Sequence, residues 1–147
     1  MASSVTIKDI PSSLFIPAYA EYLKKSGQIE VPSWLDMAKT GSHRIYSPKN
    51  PDWFFTRLAS LARKFYIKGN KGIGSLQKEY GGKKKRGSRP SKKQKASGKV
   101  IRLAIFQLQK LGIIEKDTKG KRKLTRKAQQ DMDIRSAKLL AFINSKQ

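Results

Sequence analysis

A mainly α-helical single domain over residues 1–147, carrying a short two-stranded β wing and extra helices at both ends, is what this sequence predicts. Three observations predict it. Apolar residues recur at helical spacing in several separate stretches, most clearly across DWFFTRLASLARKFYIKG. The stretch KLGIIEKDTKGKRKLT reads as helix end, strand, polar turn, strand and a Thr suited to cap the next helix. The chain has 147 residues, 37% of them hydrophobic, with two Trp, six Phe and five Tyr, enough for one core and too short for two comfortable ones.

Taken in order, SSLFIPAYAEYLKKSG is the first helix, with Leu14, Ala18 and Tyr22 at helical spacing and Lys24, Lys25 and Gly27 closing it. Pro17 is unfavourable in a helix interior, so the helix is expected over 17–26, with 12–16 as an extra turn. Pro32, Ser33 and Trp34 open a short helical turn, and TGSHRIYSPKNPD is a loop ending at Asp52, the expected N-cap of the next helix. In that helix Phe54, Leu58, Leu61 and Phe65 form one apolar line and Phe55, Ala59, Ala62 and Tyr66 the adjacent one. Tyr66-Ile67-Lys68 reads as a brief extended segment, and GNKGIGSLQKEYGG as a turn followed by a short helix over Gly74–Tyr80. No GK[ST] follows its glycines, so a nucleotide-cradling loop is unsupported.

Residues 82–96 hold almost nothing but Lys, Arg, Gly, Ser, Pro and Gln, and are expected to be a flexible basic loop tethered between folded elements. Ser97 then caps a helix to Gly112 with Ile101, Ala104, Ile105, Leu108 and Leu111 buried. Ile113–Lys116 and Arg122–Leu124 form two strands around Asp117–Gly120, and Thr125 caps a last helix bearing Ala128, Met132, Arg135, Leu139 and Phe142. This is the order of a winged helix-turn-helix, with helix 97–112 in the recognition position.

Charge narrows the function. The chain has 33 basic and 10 acidic residues, a net of +23, so a polyanion is the natural partner and nucleic acid the commonest one. Residues 1–50 carry six bases and four acids, a net of +2; the remaining 27 bases and six acids give +21, and no acid lies between Glu79 and Glu115. The C-terminal two-thirds is therefore the expected binding side. On the outer side of the central helix, Trp53, Arg57, Arg63 and Lys64 combine cations with an aromatic, which suits phosphate contact with stacking. Trp53, at the first turn, is either a stacking platform for RNA or a lid on the core, the lid being the commoner place for a lone Trp at a helix start. Lys68 and Lys71 follow, then Lys83, Lys84, Lys85, Arg86, Arg89, Lys92, Lys93 and Lys95 in the basic loop. Lys99 and Arg102, with Phe106 and Gln109, line the outer side of helix 97–112, and Lys121, Arg122 and Lys123 arm the wing.

Other classes fare worse. One histidine, no cysteine and ten scattered carboxylates assemble no nucleophile, base and orienter, so neither catalysis nor a cofactor or metal is expected. The absence of cysteine fits a reducing compartment, and the opening residues show no apolar signal core, so a soluble intracellular protein is expected. The basic loop lacks the apolar face of a membrane-surface helix. KKKR followed by KKQK is compatible with a nuclear import signal. The alternative is a winged-helix DNA-binding regulator, which would usually dimerise across two half-sites and not carry +21 around most of one domain.

The blocks IEVPSWLDMAKTG, DWFFTRLASLARKFYIKGNKGIGSLQKEYGG and SGKVIRLAIFQLQKLGIIEKDTKGKRKLT resemble the "nineteen" family of the small ribosomal subunit, which has eukaryotic and archaeal but no bacterial members. The resemblance spans roughly residues 8–140. It implies a winged-helix-like α fold in the head of the small subunit, binding ribosomal RNA and neighbouring ribosomal proteins and needed when precursor RNA is trimmed, with assembly factors as further partners. It also implies a cytoplasmic ribosomal location with passage through the nucleolus. The family's basic central helix matches Trp53, Arg57 and Arg63, and its later helix matches Arg102.

Overall fold

In a computed structural model, residues 4–147 are described; the first three residues of the expected 1–147 domain lie outside the described residues. The chain opens with a 3-10 turn, Ile7–Asp9, where Asp9 Oδ2 accepts from the Thr6 backbone N–H at 2.8 Å and Ile7 and Ile10 are buried. The sequence reading missed this turn. Helix α1, Ser12–Ser26, runs through Pro17 and includes the turn at 12–16. Pro17 and Ser13, the residue whose carbonyl it leaves without a helical donor, are both exposed, so water can satisfy that carbonyl. The buried side of α1 is Phe15, Tyr19, Ala20 and Leu23, one residue along from the expected Leu14, Ala18 and Tyr22. Two adjacent apolar lines compete here, and the one with the bulkier members at its N-terminal end takes the core. Gly27, at φ 66, ends the helix in the left-handed conformation glycine tolerates.

A 3-10 turn at Ser33–Met37 buries Leu35 and leads into the irregular segment before α2, Trp53–Lys68. Asp52 stands at the N-cap without capping: its carboxylate accepts from Lys24 Nζ at 2.8 Å and ties α1 to α2. Helix α2 buries Phe54, Leu58, Ala59, Leu61, Ala62 and Phe65, as its period predicts. It also continues over Tyr66–Lys68, correcting the extended segment expected there. Adding a residue to an existing helix needs only one more hydrogen bond, which outweighs the weak strand preference of Tyr and Ile.

Helix α3, Ile73–Tyr80, is followed by a second correction. The expected loop 82–96 is largely a β-hairpin, with β1, Gly82–Arg86, antiparallel to β2, Arg89–Gln94. Gly87, at φ 71, occupies the first of two turn positions, the placement that favours a type II′ hairpin. Helix α4, Gly98–Lys110, buries Val100, Ile101, Ala104, Ile105 and Leu108, whereas Leu111 is only half-buried. Ser97 sits at its N-cap but its side chain makes no capping bond.

The wing follows as predicted, β3, Ile114–Lys116, antiparallel to β4, Arg122–Leu124, with Glu115 opposite Lys123. Thr125 caps α5, Arg126–Ser145, accepting from the Ala128 N–H at 3.2 Å while its hydroxyl donates to the Gly112 carbonyl at 2.8 Å. Ala128, Met132 and Ser136 are the buried residues of α5; Phe142 is exposed and Arg135 stacks on Tyr22, its guanidinium carbon 3.2 Å from the ring centre. Helices α1, α2 and α4 share one core with Leu76 of α3, Ile114 of the wing and Met132 of α5. The result is a mainly α, winged-helix-like single domain with extra helices at both ends and the basic hairpin inserted before the recognition-position helix.

Candidate nucleic-acid interface

The outer side of α2 is built around a residue that the sequence reading did not single out. Tyr80, the last residue of α3, donates to or accepts from Ser60 Oγ at 2.6 Å. The Arg57 guanidinium lies over its ring at 4.1 Å and the Lys64 ammonium at 4.6 Å. Lys64 also donates to Glu79 at 2.8 Å, and Lys71 pairs with the other oxygen of the same carboxylate. These partners come from α3, out of reach of any i,i+4 pattern on α2; Lys64 meets a carboxylate, whereas Arg57 stacks on the Tyr80 ring. Burial holds both cations below their ordinary pKa, helped by Arg44 beside Arg57, and by Arg57 and Arg63 beside Lys64.

Trp53 packs half-buried against the core, its ring edge-on to Phe54 at 6.1 Å, which is the lid position. It also borders an open cleft of about 630 Å³, lined by Arg57, Ser60 and Tyr80 and, from the loop before α2, by Arg44, Tyr46 and Lys49. Tyr46 is 82% exposed. The loop residues were passed over as connection, although two bases flanking a Tyr between Gly41 and Pro51 are a detectable signal. Arg63 is half-buried, and its Nε is buried with no hydrogen-bond partner among the described residues. Lys68, at the end of α2, is exposed.

The hairpin is rooted beside this cleft. Ala96 N–H donates to the Gln77 carbonyl at 2.9 Å and Ser97 N–H to the Thr40 carbonyl at 2.8 Å, while Gly41 bridges Ala96. The His43 ring lies against Gly41 and Gly82, and a methyl group on Gly81 would come within 2.2 Å of the Gln94 carbonyl oxygen. Burial lowers the His43 pKa, with Arg44 and Arg57 acting in the same direction. Beyond this root, Lys83, Lys84, Lys85, Arg89, Lys92 and Lys93 are exposed, Arg86 is half-exposed, and Lys95 is exposed just after β2. Among the described residues none of these eight cations is within ion-pair distance of a carboxylate.

Past the root, α4 presents an exposed Arg102 and a 58%-exposed Phe106, and Lys99 sits over the Trp34 ring at 4.5 Å. The Arg102 guanidinium comes close to Gly98, as does the Gln77 amide. The wing carries its cations separately: Lys121 is exposed, Lys123 meets Glu115 at 3.7 Å, and the Nε of Arg122 is buried with no hydrogen-bond partner among the described residues. The arrangement thus joins α2, the loop before it, the hairpin and the start of α4, and has the wing as a further basic element. It offers cations, exposed aromatics and no reacting constellation. Among the described residues no three His, Cys, Asp or Glu are grouped to hold a metal, and no helix is long and apolar enough to cross a membrane.

This chain is similar to known proteins over most of its length. The family model described as Ribosomal protein S19e matches residues 6–141. Small ribosomal subunit protein eS19A of Schizosaccharomyces pombe is 41% identical over 131 residues, covering 89% of this chain and 91% of the relative. Small ribosomal subunit protein eS19 of Oryza sativa subsp. japonica is 44% identical over 128 residues, covering 87% and 88%. The protein of the same name from Mya arenaria is 44% identical over 135 residues, covering 92% and 91%.

Proposed function

The chain belongs to the ribosomal protein S19e family, and from that premise we propose that it is a structural protein of the small ribosomal subunit that binds ribosomal RNA through its basic C-terminal two-thirds. The observation that carries the RNA reading is the hairpin with its neighbours: eight cations that meet no carboxylate among the described residues, placed between a cleft lined by the exposed Tyr46 and the exposed face of α4. Phosphates are the counterpart such a surface requires, and the released counterions supply the binding free energy. Phosphate contacts of this kind hold a protein in register on RNA without reading sequence. The partners are then ribosomal RNA of the small subunit and the ribosomal proteins beside it, with assembly factors during maturation.

On this reading the chain performs no chemistry; its role is to be needed for trimming precursor RNA and for assembling the subunit head. It works in cytoplasmic ribosomes and joins the subunit in the nucleolus. A binding assay against small-subunit ribosomal RNA, with excess duplex DNA as competitor, tests the reading. Retention on the RNA, weakened by Arg102→Glu, is the expected result. Displacement by the DNA contradicts it and favours a DNA-binding regulator.

A further inference from the structure

The hairpin has two charged faces. Successive residues of a strand point to opposite sides, so the pair Lys83 and Lys93 lies on one face of the ribbon and the pair Lys84 and Lys92 on the other. All four are exposed, so neither face is covered by the body of the protein. Three of the four registered cross-strand pairs set base against base: Lys83 with Lys93, Lys84 with Lys92 and Arg86 with Arg89. Like charges directly opposite weaken a ladder, so this ribbon is arranged against its own electrostatics. The tip is slim, with only Gly87 and Ser88 in the turn, and the Arg86 Nε donates across it to the Pro90 carbonyl at 2.8 Å.

A basic ribbon laid on a single strand or on a flat phosphate surface has use for one face. Two lysine-bearing faces and a narrow tip match a slot with phosphate on both walls. Double-stranded RNA has one: its major groove is deep and narrow, with a phosphate backbone along each lip of its mouth. We propose that the hairpin β1–β2 lies edge-on along the mouth of the major groove of an A-form RNA helix, with Lys83 and Lys93 meeting one backbone and Lys84 and Lys92 the other. The proposal rests on the RNA-binding reading above and adds to it the form of RNA recognised.

The test uses the full chain, a short RNA duplex, one of its strands alone and a DNA duplex of the same sequence, with affinity measured across a salt series. Two variants, Lys83→Gln with Lys93→Gln and Lys84→Gln with Lys92→Gln, each remove one face. Both also remove like-charge repulsion, so the hairpin is expected to persist, which amide exchange checks. On duplex RNA each variant should flatten the logarithmic salt slope by about 1.5, at roughly 0.7–0.9 per phosphate contact. On the single strand, which has use for one face, only one of the two variants should flatten the slope, by about 1.4, and the other should leave it unchanged. If one variant leaves the duplex slope unchanged, or if single-stranded RNA or the DNA duplex binds as tightly as duplex RNA, the two-walled groove is overturned and RNA binding stands. If the unaltered chain binds no RNA, the RNA reading itself falls, and an acidic protein surface becomes the ribbon's partner.

Discussion

Arg57 and Arg102 look alike in the sequence, each a base opposite an apolar stripe, but the molecule uses them differently. Arg57 rests on Tyr80 and is largely withdrawn from water, whereas Arg102 is exposed on α4. Arg57→Glu exchanges a cation over the ring for an anion against its negative face, a loss of about 1–2 kcal/mol for a partly desolvated contact. Arg102→Glu should stay within about 0.5 kcal/mol of the parent. Urea unfolding separates the two; equal stabilities mean that Arg57 is a surface charge after all. In RNA affinity both variants should fall below the parent. Leu61→Ala, at a side chain with 0% exposure, should cost about 2–5 kcal/mol. That cost was legible from helical period alone, whereas the seat of Arg57 depends on an aromatic brought up by α3, which no local pattern on α2 encodes.

The single histidine makes the residue scale sensitive to pH. His43 has its pKa lowered in the folded protein by burial and by Arg44 and Arg57. The unfolded chain therefore binds this proton more readily, and His43 favours folding most above the ordinary histidine range near pH 6.5, with the benefit lost as pH falls toward its folded pKa. The melting temperature should drop between about pH 7.5 and about pH 5.5, and drop less in His43→Gln. Equal pH dependence in the two proteins contradicts a lowered pKa for the half-buried His43 at the hairpin root.

Among the elements, the basic hairpin departs most from what the sequence led us to expect. Lys, Gly, Ser and Pro are poor strand formers, and the run repels itself, so composition argued for a loop. The root decides otherwise: the backbone bonds from Ala96 and Ser97 to Gln77 and Thr40 fix β2 and leave β1 to pair with it. The one local sign was Gly87-Ser88 between two runs of equal charge, a two-residue turn without the apolar alternation that usually accompanies it. Gly81→Ala would drive a methyl group into the Gln94 carbonyl and should cost about 1–3 kcal/mol, as overpacking does. Amide exchange should show β1 and β2 losing protection while α2 and α4 keep theirs; unchanged protection at the root would contradict the anchoring described. The extension of α2, local in origin, also gains a tertiary tie. Tyr66 donates to Asp133 of α5 at 2.6 Å, and Tyr66→Phe should cost about 1.5–3 kcal/mol as a hydrogen bond to a charged acceptor, measured by urea unfolding.

For the whole molecule, order along the chain was the most legible feature. The stripe of α4, the strands at Ile114–Lys116 and Arg122–Leu124 and the Thr125 cap each follow from local chemistry, and together they require the wing to fold back beside the recognition-position helix. The asymmetry of charge was equally legible, and the fold keeps it: the hairpin, α4 and wing all belong to the part carrying +21. What sequence alone could not supply was which bases would be used up internally, because Lys64, Lys71 and Arg57 are claimed by Glu79 and Tyr80 only once α3 packs. Binding of small-subunit RNA by the cations left over is the proposal on which the rest depends. It is tested most directly by sedimenting the tagged full chain from cells through a high-salt gradient, beside a form whose residues 83–95 are replaced by Gly and Ser. The intact chain should travel with small subunits, and the replaced form should be largely lost to the top of the gradient. An intact chain that stays at the top, or a replaced form that is retained equally well, contradicts it.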